Sequence, residues 1–144
     1  MTSPLPDPSS EFGARVARRL REEIVAWLTV VDRAGTPQPA PVWFLWDDAS
    51  ASALVYSMGD AKRLAHLRAN PRVALHFDGN GTGGDIVVLT GDAVESPDDP
   101  PASGTPAYLA KYGDRITGGW QTAENFSSIY SVPVRIRVER VRGH

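Results

Sequence analysis

The segment from Tyr56 to Leu64 combines residue types in an order that can bind an anion. Its pattern indicates a strand, a turn at Gly59 and a helix that begins near Ala61, so that Lys62-Arg63 fill the second and third helical positions. A helix N-terminus has unpaired N–H groups and a partial positive charge, and both attract a phosphate group. Two cations are unfavourable at that end of an isolated helix, and a bound phosphate would neutralise them. The segment therefore predicts a phosphate site, and the alternative is a pair of solvated surface cations.

Other candidate motifs lack the neighbouring residues that their chemistry requires. The segment Gly79–Gly84 matches G-x-G-x-x-G, but a β-branched run follows where a dinucleotide site needs a helix start, so a hairpin loop is expected. The three histidines have no partner at metal-ligand spacing, and there is no G-x-S-x-G elbow for a serine nucleophile. The chain has no cysteine, which excludes a disulfide scaffold, a thiolate nucleophile and a zinc–thiolate site. Hydrolytic and metal-dependent chemistry therefore lack support in the sequence.

Alternating and continuously apolar segments predict a mainly β scaffold around the phosphate site. The prolines at 39 and 41 lie two residues apart in the second predicted strand, which indicates an unpaired sheet edge. Gly91 lies inside the fifth strand and predicts a bulge. Six strands, most of them joined by hairpins, indicate an antiparallel barrel. The predicted strands are Ile24–Asp32, Gln38–Trp46, Ala53–Met58, Val73–Phe77, Ile86–Glu95 and Val132–Val141.

Three or four short helices are predicted around these strands. In the first, Phe12, Val16 and Leu20 form one apolar stripe, and the arginines beside them are interpreted as a solvated face. Asp60 is the expected cap of the second helix. Residues 96–106 are interpreted as a polar, proline-rich loop with no place in a core. The predicted helices run from Ser9 or Ser10 to about Glu23, from Ala61 to Asn70, from Ala107 to Tyr112 and from Thr122 to Ile129.

Length and composition indicate one globular domain of ordinary size. The chain has 144 residues, of which 42% are hydrophobic and 22% are charged, and a chain of this size can bury a sizeable core. We expect residues 1–10 to be a flexible lead-in and residues 11–144 to form the domain. No apolar run is long enough to span a membrane and the start has no signal-peptide pattern, so we expect a cytoplasmic protein. The net charge of −2 argues against a nucleic-acid partner.

Taken together, several segments resemble the FMN-binding split β-barrel proteins related to pyridoxamine 5′-phosphate oxidase. Within that family, the pattern is most similar to the actinobacterial flavin/deazaflavin oxidoreductases that use coenzyme F-420. The resemblance covers roughly residues 20–142, and its combination of segments is more specific than any one of them. The segments that carry it are Gly35–Phe44 with Trp46, Tyr56–Leu67, Asn70–Leu75, Ile86–Glu95, Ala107–Tyr112 and the closing strand from Tyr130.

The resemblance implies a six-stranded antiparallel split β-barrel with short helices, which binds its cofactor in a groove between the two protomers of a homodimer. It places Lys62 and Arg63 on the cofactor's phosphate, with the hydroxyl of Ser57 nearby. Two short stretches, Val42–Phe44 and Leu75–Phe77, would lie along the cofactor's ring and flank it. The implied cofactor-binding residues are Val42, Trp43, Phe44, Tyr56, Ser57, Lys62, Arg63, Leu75, His76 and Phe77. Four aromatic residues, Trp43, Tyr56, Trp120 and Tyr130, are candidates to shape a substrate pocket.

The resemblance also implies an oxidoreductase in which F-420 transfers a hydride to a small conjugated or heteroaromatic substrate. No catalytic side chain is assigned, because the cofactor itself carries the hydride. Two departures from the family pattern matter. Ala61 stands where many members have serine, and Ala51–Ala53 offers none of the basic ligands that FMN oxidases carry before the third strand. The alternatives are an FMN-dependent oxidase or reductase and a non-catalytic protein that binds a flavin, haem or another tetrapyrrole; a barrel that binds single-stranded nucleic acid is disfavoured by the net charge.

Overall fold

A computed structural model describes residues 3–144, so the first two residues of the lead-in expected at 1–10 lie outside the described part. Helix α1 spans Glu11–Glu22. It begins after Ser10, whose hydroxyl oxygen accepts a hydrogen bond from the backbone N–H of Gly13 at 2.9 Å. This side-chain cap satisfies one of the unpaired donors of the first turn, and it confirms the helix start that the sequence predicted.

The buried face of α1 carries the predicted apolar stripe, with Val16 and Leu20 fully buried. The expectation that its arginines are all solvated is wrong for Arg19, which is only 6% exposed. The Arg19 guanidinium donates to the backbone carbonyls of Asp78 and Asp85 at 2.6 and 2.9 Å. These carbonyls flank the glycine-rich loop between two strands, so a buried cation of α1 fixes both ends of that loop.

Seven strands form one antiparallel sheet, which confirms the predicted mainly β class. Their bounds are β1 (Ala26–Val31), β2 (Pro37–Val42), β3 (Leu45–Asp47), β4 (Ser52–Ser57), β5 (Arg72–His76), β6 (Val87–Glu95) and β7 (Val132–Gly143). Their order across the sheet is β2-β1-β5-β6-β7-β4-β3. The count exceeds the predicted six because the strand expected at Gln38–Trp46 is interrupted at residues 43–44. As the prolines predicted, β2 lies at a sheet edge and pairs only with β1.

Three further helices are α2 (Lys62–Ala69), which packs against the barrel core, and α3 (Pro106–Trp120) and α4 (Ala123–Ile129), which pack together in a second apolar cluster. Asp60 does not cap α2, because Ala61 occupies the cap position and makes no side-chain hydrogen bond there. The predicted helix at 107–112 is too short, since α3 continues to Trp120. The loop at 96–106 does reach a core, because Ala102 is fully buried and opens a single turn of 3-10 helix.

The connection from β2 to β3 forces the sheet to close on itself. These two strands lie at opposite edges of the sheet, yet only Trp43 and Phe44 separate them in the chain. In a flat sheet, seven strands would place the two edges about 29 Å apart, whereas this connection reaches only about 10 Å. The sheet therefore curls into a barrel whose two edges meet at Trp43–Phe44.

Two side chains of α3 hold this junction in place. The hydroxyl of Tyr112 accepts a hydrogen bond from the Phe44 N–H at 2.9 Å, and it lies 2.7 Å from the carbonyl oxygen of Ile24. The ammonium group of Lys111 donates to the carbonyl oxygen of Phe44 at 2.8 Å and lies 3.9 Å from the centre of the Phe44 ring. Both backbone polar groups of Phe44 are therefore satisfied from α3.

The junction also separates two apolar cores. Phe44 is fully buried inside the barrel, whereas Trp43 points to a second core between the barrel wall and helices α3 and α4. Every residue of β4 is buried, because Val55 faces the barrel interior and Tyr56 faces the second core. This burial on both faces explains why β4 shows no alternation in the sequence.

The bulge predicted at Gly91 is present, as the pairing of β6 with β7 shifts its register between Thr90 and Gly91. A Cβ atom at position 91 would lie 1.8 Å from the carbonyl oxygen of Arg137. Only glycine lets the two strands approach this closely. Among the helices within residues 3–144, none has the length and apolar character needed to cross a lipid bilayer.

The half-buried Lys111 generates a prediction about pH. Burial lowers the pKa of Lys111 from 10.5 to about 8, against a partial rise from Glu23. Between pH 8 and 10.5 the unfolded chain keeps a proton that the folded chain has released, so the free energy of unfolding should increase with pH in this window. After allowance for solvent screening, we expect a gain of about 1–2 kcal/mol. Urea unfolding at pH 7.5 and pH 10 measures it.

Lys111→Met is the matched control for this pH dependence, because it keeps much of the side-chain length without a titrating group. Its unfolding free energy should lack the increase between the two pH values. An equal increase in wild type and variant would show that another group is responsible.

Candidate functional site

A cavity of about 230 Å³ lies where the end of β2, the start of α2 and helices α3 and α4 come together. It includes four of the residues that the resemblance assigns to a cofactor: Val42, Trp43, Tyr56 and Arg63. The complete lining is Pro41, Val42, Trp43, Tyr56, Arg63, Tyr108, Trp120, Phe126 and Tyr130. The cavity thus combines six aromatic side chains with one cation.

The aromatic lining of this cavity is held rigidly by ring-to-ring contacts. Trp43 stacks on Tyr112 with ring centres 4.7 Å apart and an interplanar angle of 9°. Phe126 stacks on Tyr130 at 4.7 Å, and the Trp120 ring stands edge-on to Phe126 at 5.1 Å. Such pairs stabilise beyond their buried area. Flat, apolar walls of this kind suit a planar ligand.

Arg63 is the charged group of the cavity, and its guanidinium lacks a counterion. Its Nη1 atom is buried and makes no hydrogen bond within residues 3–144. Burial lowers the pKa of Arg63 below its ordinary value, with a small opposing effect from Tyr130. A buried donor without an acceptor costs about 1–3 kcal/mol, and more when it is charged. An anion bound in this cavity would remove that cost.

Lys62 faces a different space, although it precedes Arg63 directly. Consecutive helical residues point about 100° apart, and Lys62 is exposed on a groove of about 540 Å³ beside the edge strand β2. Arg63 lines this groove as well as the cavity. The remaining lining of the groove is Val30, Asp32, Gln38, Pro39, Ala40, Ala61 and His66. The flat aromatic cavity, the two cations and the open polar groove therefore lie next to one another in the structure.

The other residues predicted for the site lie elsewhere. Phe44, Leu75 and Phe77 belong to the barrel core, and His76 lies on β5 with its ring nitrogen Nδ1 3.2 Å from the carbonyl oxygen of Phe77. Ser57 is fully buried, and its hydroxyl has no partner among the described residues. It lines neither the cavity nor the groove. Their roles at a cofactor stay predictions.

Three residues of the lining, Pro41, Tyr108 and Phe126, were not predicted from the sequence. Tyr108 is separated from Tyr112 by one helical turn, so a helix over 107–112 places both rings on one face. That spacing was a usable signal. Phe126 offered none, because nothing in the sequence indicates that α4 packs against Trp43. In the part of the chain from residue 3 onward, no group of three or more His, Asp or Glu side chains could hold a metal ion.

Comparisons with known proteins agree with this architecture. The sequence matches the family described as pyridoxamine 5′-phosphate oxidase over residues 12–144. The fold is similar to that of the conserved hypothetical protein Rv2991 from Mycobacterium tuberculosis, with a TM-score of 0.67, 20% identity, and coverage of 99% of this chain and 87% of that chain. No curated protein matches the sequence.

Two other solved structures of similar fold have names that mention a cofactor. One is named F420 reductase, with a TM-score of 0.63, 22% identity, and coverage of 87% of this chain and 94% of that chain. The other is an FAD-binding protein from Mesorhizobium loti, with a TM-score of 0.57, 24% identity, and coverage of 89% of this chain and 88% of that chain. At these identities the similarity shows the fold alone.

Proposed function

The chain belongs to the pyridoxamine 5′-phosphate oxidase family, and from that premise we propose that it is an oxidoreductase that uses the deazaflavin coenzyme F-420. The proposed reaction is hydride transfer to a small conjugated or heteroaromatic substrate. The observation that carries the proposal is the half-buried guanidinium of Arg63, whose buried Nη1 atom has no hydrogen-bond partner within residues 3–144. This group lies between a flat aromatic cavity and a groove that contains Lys62.

The residues present fit a cofactor with a flat ring and a phosphate. Arg63 and Lys62 would hold the phosphate through charge-assisted hydrogen bonds, and the start of α2 would add its unpaired N–H groups. The rings of Trp43 and Tyr56 would contact the cofactor's ring and exclude water from it. A bound flavin or deazaflavin supplies the hydride chemistry, while the chain binds, orients and shields it.

The groove beyond the cations favours F-420 over FMN. An FMN molecule ends at its phosphate, whereas F-420 continues from its phosphate into a lactyl-glutamate tail. The groove of about 540 Å³ leaves room beyond Arg63 for such a tail, and Lys62 and His66 line it. The absence of basic residues in Ala51–Ala53 and the similarity in fold to a protein named F420 reductase support the same choice.

The size of the cavity supports a homodimer. Ligand sites usually enclose about 300–1,000 Å³, and the cavity of about 230 Å³ in one chain is smaller. A second copy that covers its open side would complete the enclosure, as the family resemblance implies. Exposed apolar side chains at Val25, Met58 and Ile129 offer surface for such a contact.

Two other functions would use the same features of the site. An FMN-dependent oxidase or reductase would use the same cavity and cations, with the groove left for substrate. A non-catalytic protein that binds a flavin or a tetrapyrrole would need only the aromatic cavity and Arg63. Titration of the pure protein with each cofactor separates these functions.

In that titration, followed by visible absorbance and fluorescence, we expect F-420 to bind and FMN to bind more weakly, because only F-420 has a tail to occupy the groove. Tight binding of FMN with no response to F-420 would reverse the assignment. Binding without turnover across a broad panel of conjugated and heteroaromatic substrates would favour the non-catalytic function.

The two cations should differ in what their loss does to the protein. Lys62→Ala should weaken cofactor binding by about 10- to 100-fold, since a charge-assisted contact contributes about 1.5–3 kcal/mol. Its stability should stay the same or rise slightly, because a cation at a helix N-terminus opposes the macrodipole. Arg63→Met should weaken binding similarly and raise the melting temperature, because it removes an unpaired buried charge.

Arg68→Ala is the matched control for these substitutions. Arg68 is an exposed cation at the other end of α2 that pairs with Glu95, so its loss should leave cofactor affinity unchanged. Full affinity in both Lys62→Ala and Arg63→Met would place the phosphate elsewhere.

The dimer is tested by sedimentation of the protein at micromolar concentration. We expect a dimer whose contact is largely apolar, which persists at high salt because screening affects charges rather than apolar burial. A monomer that still binds the cofactor would contradict this expectation.

A further inference from the structure

Tyr108 lies on α3 and is one of the most buried side chains of the second core, with 1% of its surface exposed. Its ring stands edge-on to Tyr56 at 4.9 Å and is tilted against Tyr112 at the same distance. It also forms part of the wall of the aromatic cavity. Tyr108 therefore reaches the cavity from a rigid position that its neighbours fix.

The hydroxyl group of Tyr108 differs from those of the two neighbouring tyrosines. Tyr56 donates to the carbonyl oxygen of Pro100 at 2.8 Å and lies 2.9 Å from the hydroxyl of Thr105. The hydroxyl of Tyr112 is occupied at the junction between β2 and β3. No hydrogen bond engages the hydroxyl of Tyr108 within residues 3–144. This hydroxyl is not among the fully buried unpaired atoms of the described residues, so the small exposed part of Tyr108 opens onto the cavity, where a ligand can accept its hydrogen bond.

The surroundings of Tyr108 keep this hydroxyl protonated. Burial raises the pKa of Tyr108 well above its ordinary value, and the neighbouring Tyr112, Tyr56 and Tyr130 raise it further. The group can therefore offer a hydrogen bond at any working pH, but it is a poor source of a transferable proton. We expect the hydroxyl of Tyr108 to donate to a neutral acceptor on the ligand, because any anionic group of that ligand would bind Arg63 instead.

We propose that the hydroxyl of Tyr108 donates a hydrogen bond to a carbonyl oxygen at the edge of the flat ring bound in the aromatic cavity, and so positions that ring. This inference rests on the proposed function, since it takes the ring to be that of a flavin or deazaflavin. Both rings carry carbonyl oxygens on their pyrimidine edge. Tyr108 is thus a positioning residue that selects for a carbonyl-bearing ring, whereas Arg63 selects for the phosphate.

The test uses ligands that separate the ring from the phosphate. Lumichrome has the carbonyl-bearing ring without a phosphate, FMN has both, and phenazine is a flat tricycle without a carbonyl oxygen. Tyr108→Phe should bind lumichrome and FMN about 3- to 10-fold more weakly than wild type, in line with one neutral hydrogen bond. Its affinity for phenazine should be unchanged, and the absorption band of bound lumichrome should shift.

Tyr112→Phe is the matched control, because it removes a hydroxyl one turn along the same helix, from a residue that does not line the cavity. That hydroxyl is already bonded within the protein, so this variant should lose thermal stability and keep its affinity for lumichrome within about twofold. Tyr108→Phe should keep the wild-type melting temperature, since its hydroxyl has no partner to lose. If Tyr108→Phe does not fold, the wild-type preference for lumichrome over phenazine tests the same hydrogen bond.

The outcomes distinguish this inference from the function on which it rests. Equal affinity of wild type and Tyr108→Phe for lumichrome would overturn the inference and leave the proposed function intact. A loss confined to FMN would also overturn it, because the hydroxyl would then act on the phosphate end. Failure of the wild-type protein to bind lumichrome, FMN and F-420 would overturn both.

Discussion

The junction at Trp43–Phe44 is the constraint on which the rest of the structure depends. Two residues connect strands at opposite edges of a seven-stranded sheet, so the sheet closes into a barrel. The closure sends the Phe44 ring into the barrel and the Trp43 ring outward. Tyr112 and Lys111 hold this arrangement from α3. One short segment thereby fixes the barrel, the docking of α3 and one wall of the cavity.

The two cations at the start of α2 differ in how deeply they are buried. The ammonium group of Lys62 is exposed and hydrated, so it costs the fold little beyond its position at a helix N-terminus. The guanidinium of Arg63 lies beside aromatic rings, and its Nη1 atom has no acceptor in the described part of the chain. A folded protein tolerates such a group where function requires it, and strongly perturbed groups in clefts are candidates for functional sites. Arg63 therefore lies between the apolar cavity and the polar groove, and Lys62 lines only the groove.

Local signals in the sequence were enough for the strands, the capped first helix, the edge prolines and the bulge at Gly91, because each depends on residues within a few positions. The position of Lys62 and Arg63 at the start of α2 was predictable for the same reason. The junction was not, because an apolar strand pattern continues through residues 43–44 and the interruption arises only when the sheet closes. The second core was also missed, since it depends on α3 and α4 docking on β4. The burial of Arg19 was not predictable, because the carbonyl oxygens that accept its hydrogen bonds lie some sixty residues away in the chain.

The central claim is that the cavity and the two cations form one cofactor site. The most direct measurement is a crystal structure of the protein with F-420 bound. We expect the ring in the aromatic cavity against Trp43, with the cofactor's phosphate within hydrogen-bond distance of both Arg63 and Lys62. A phosphate bound away from both cations, or a ring bound outside the cavity, would contradict it.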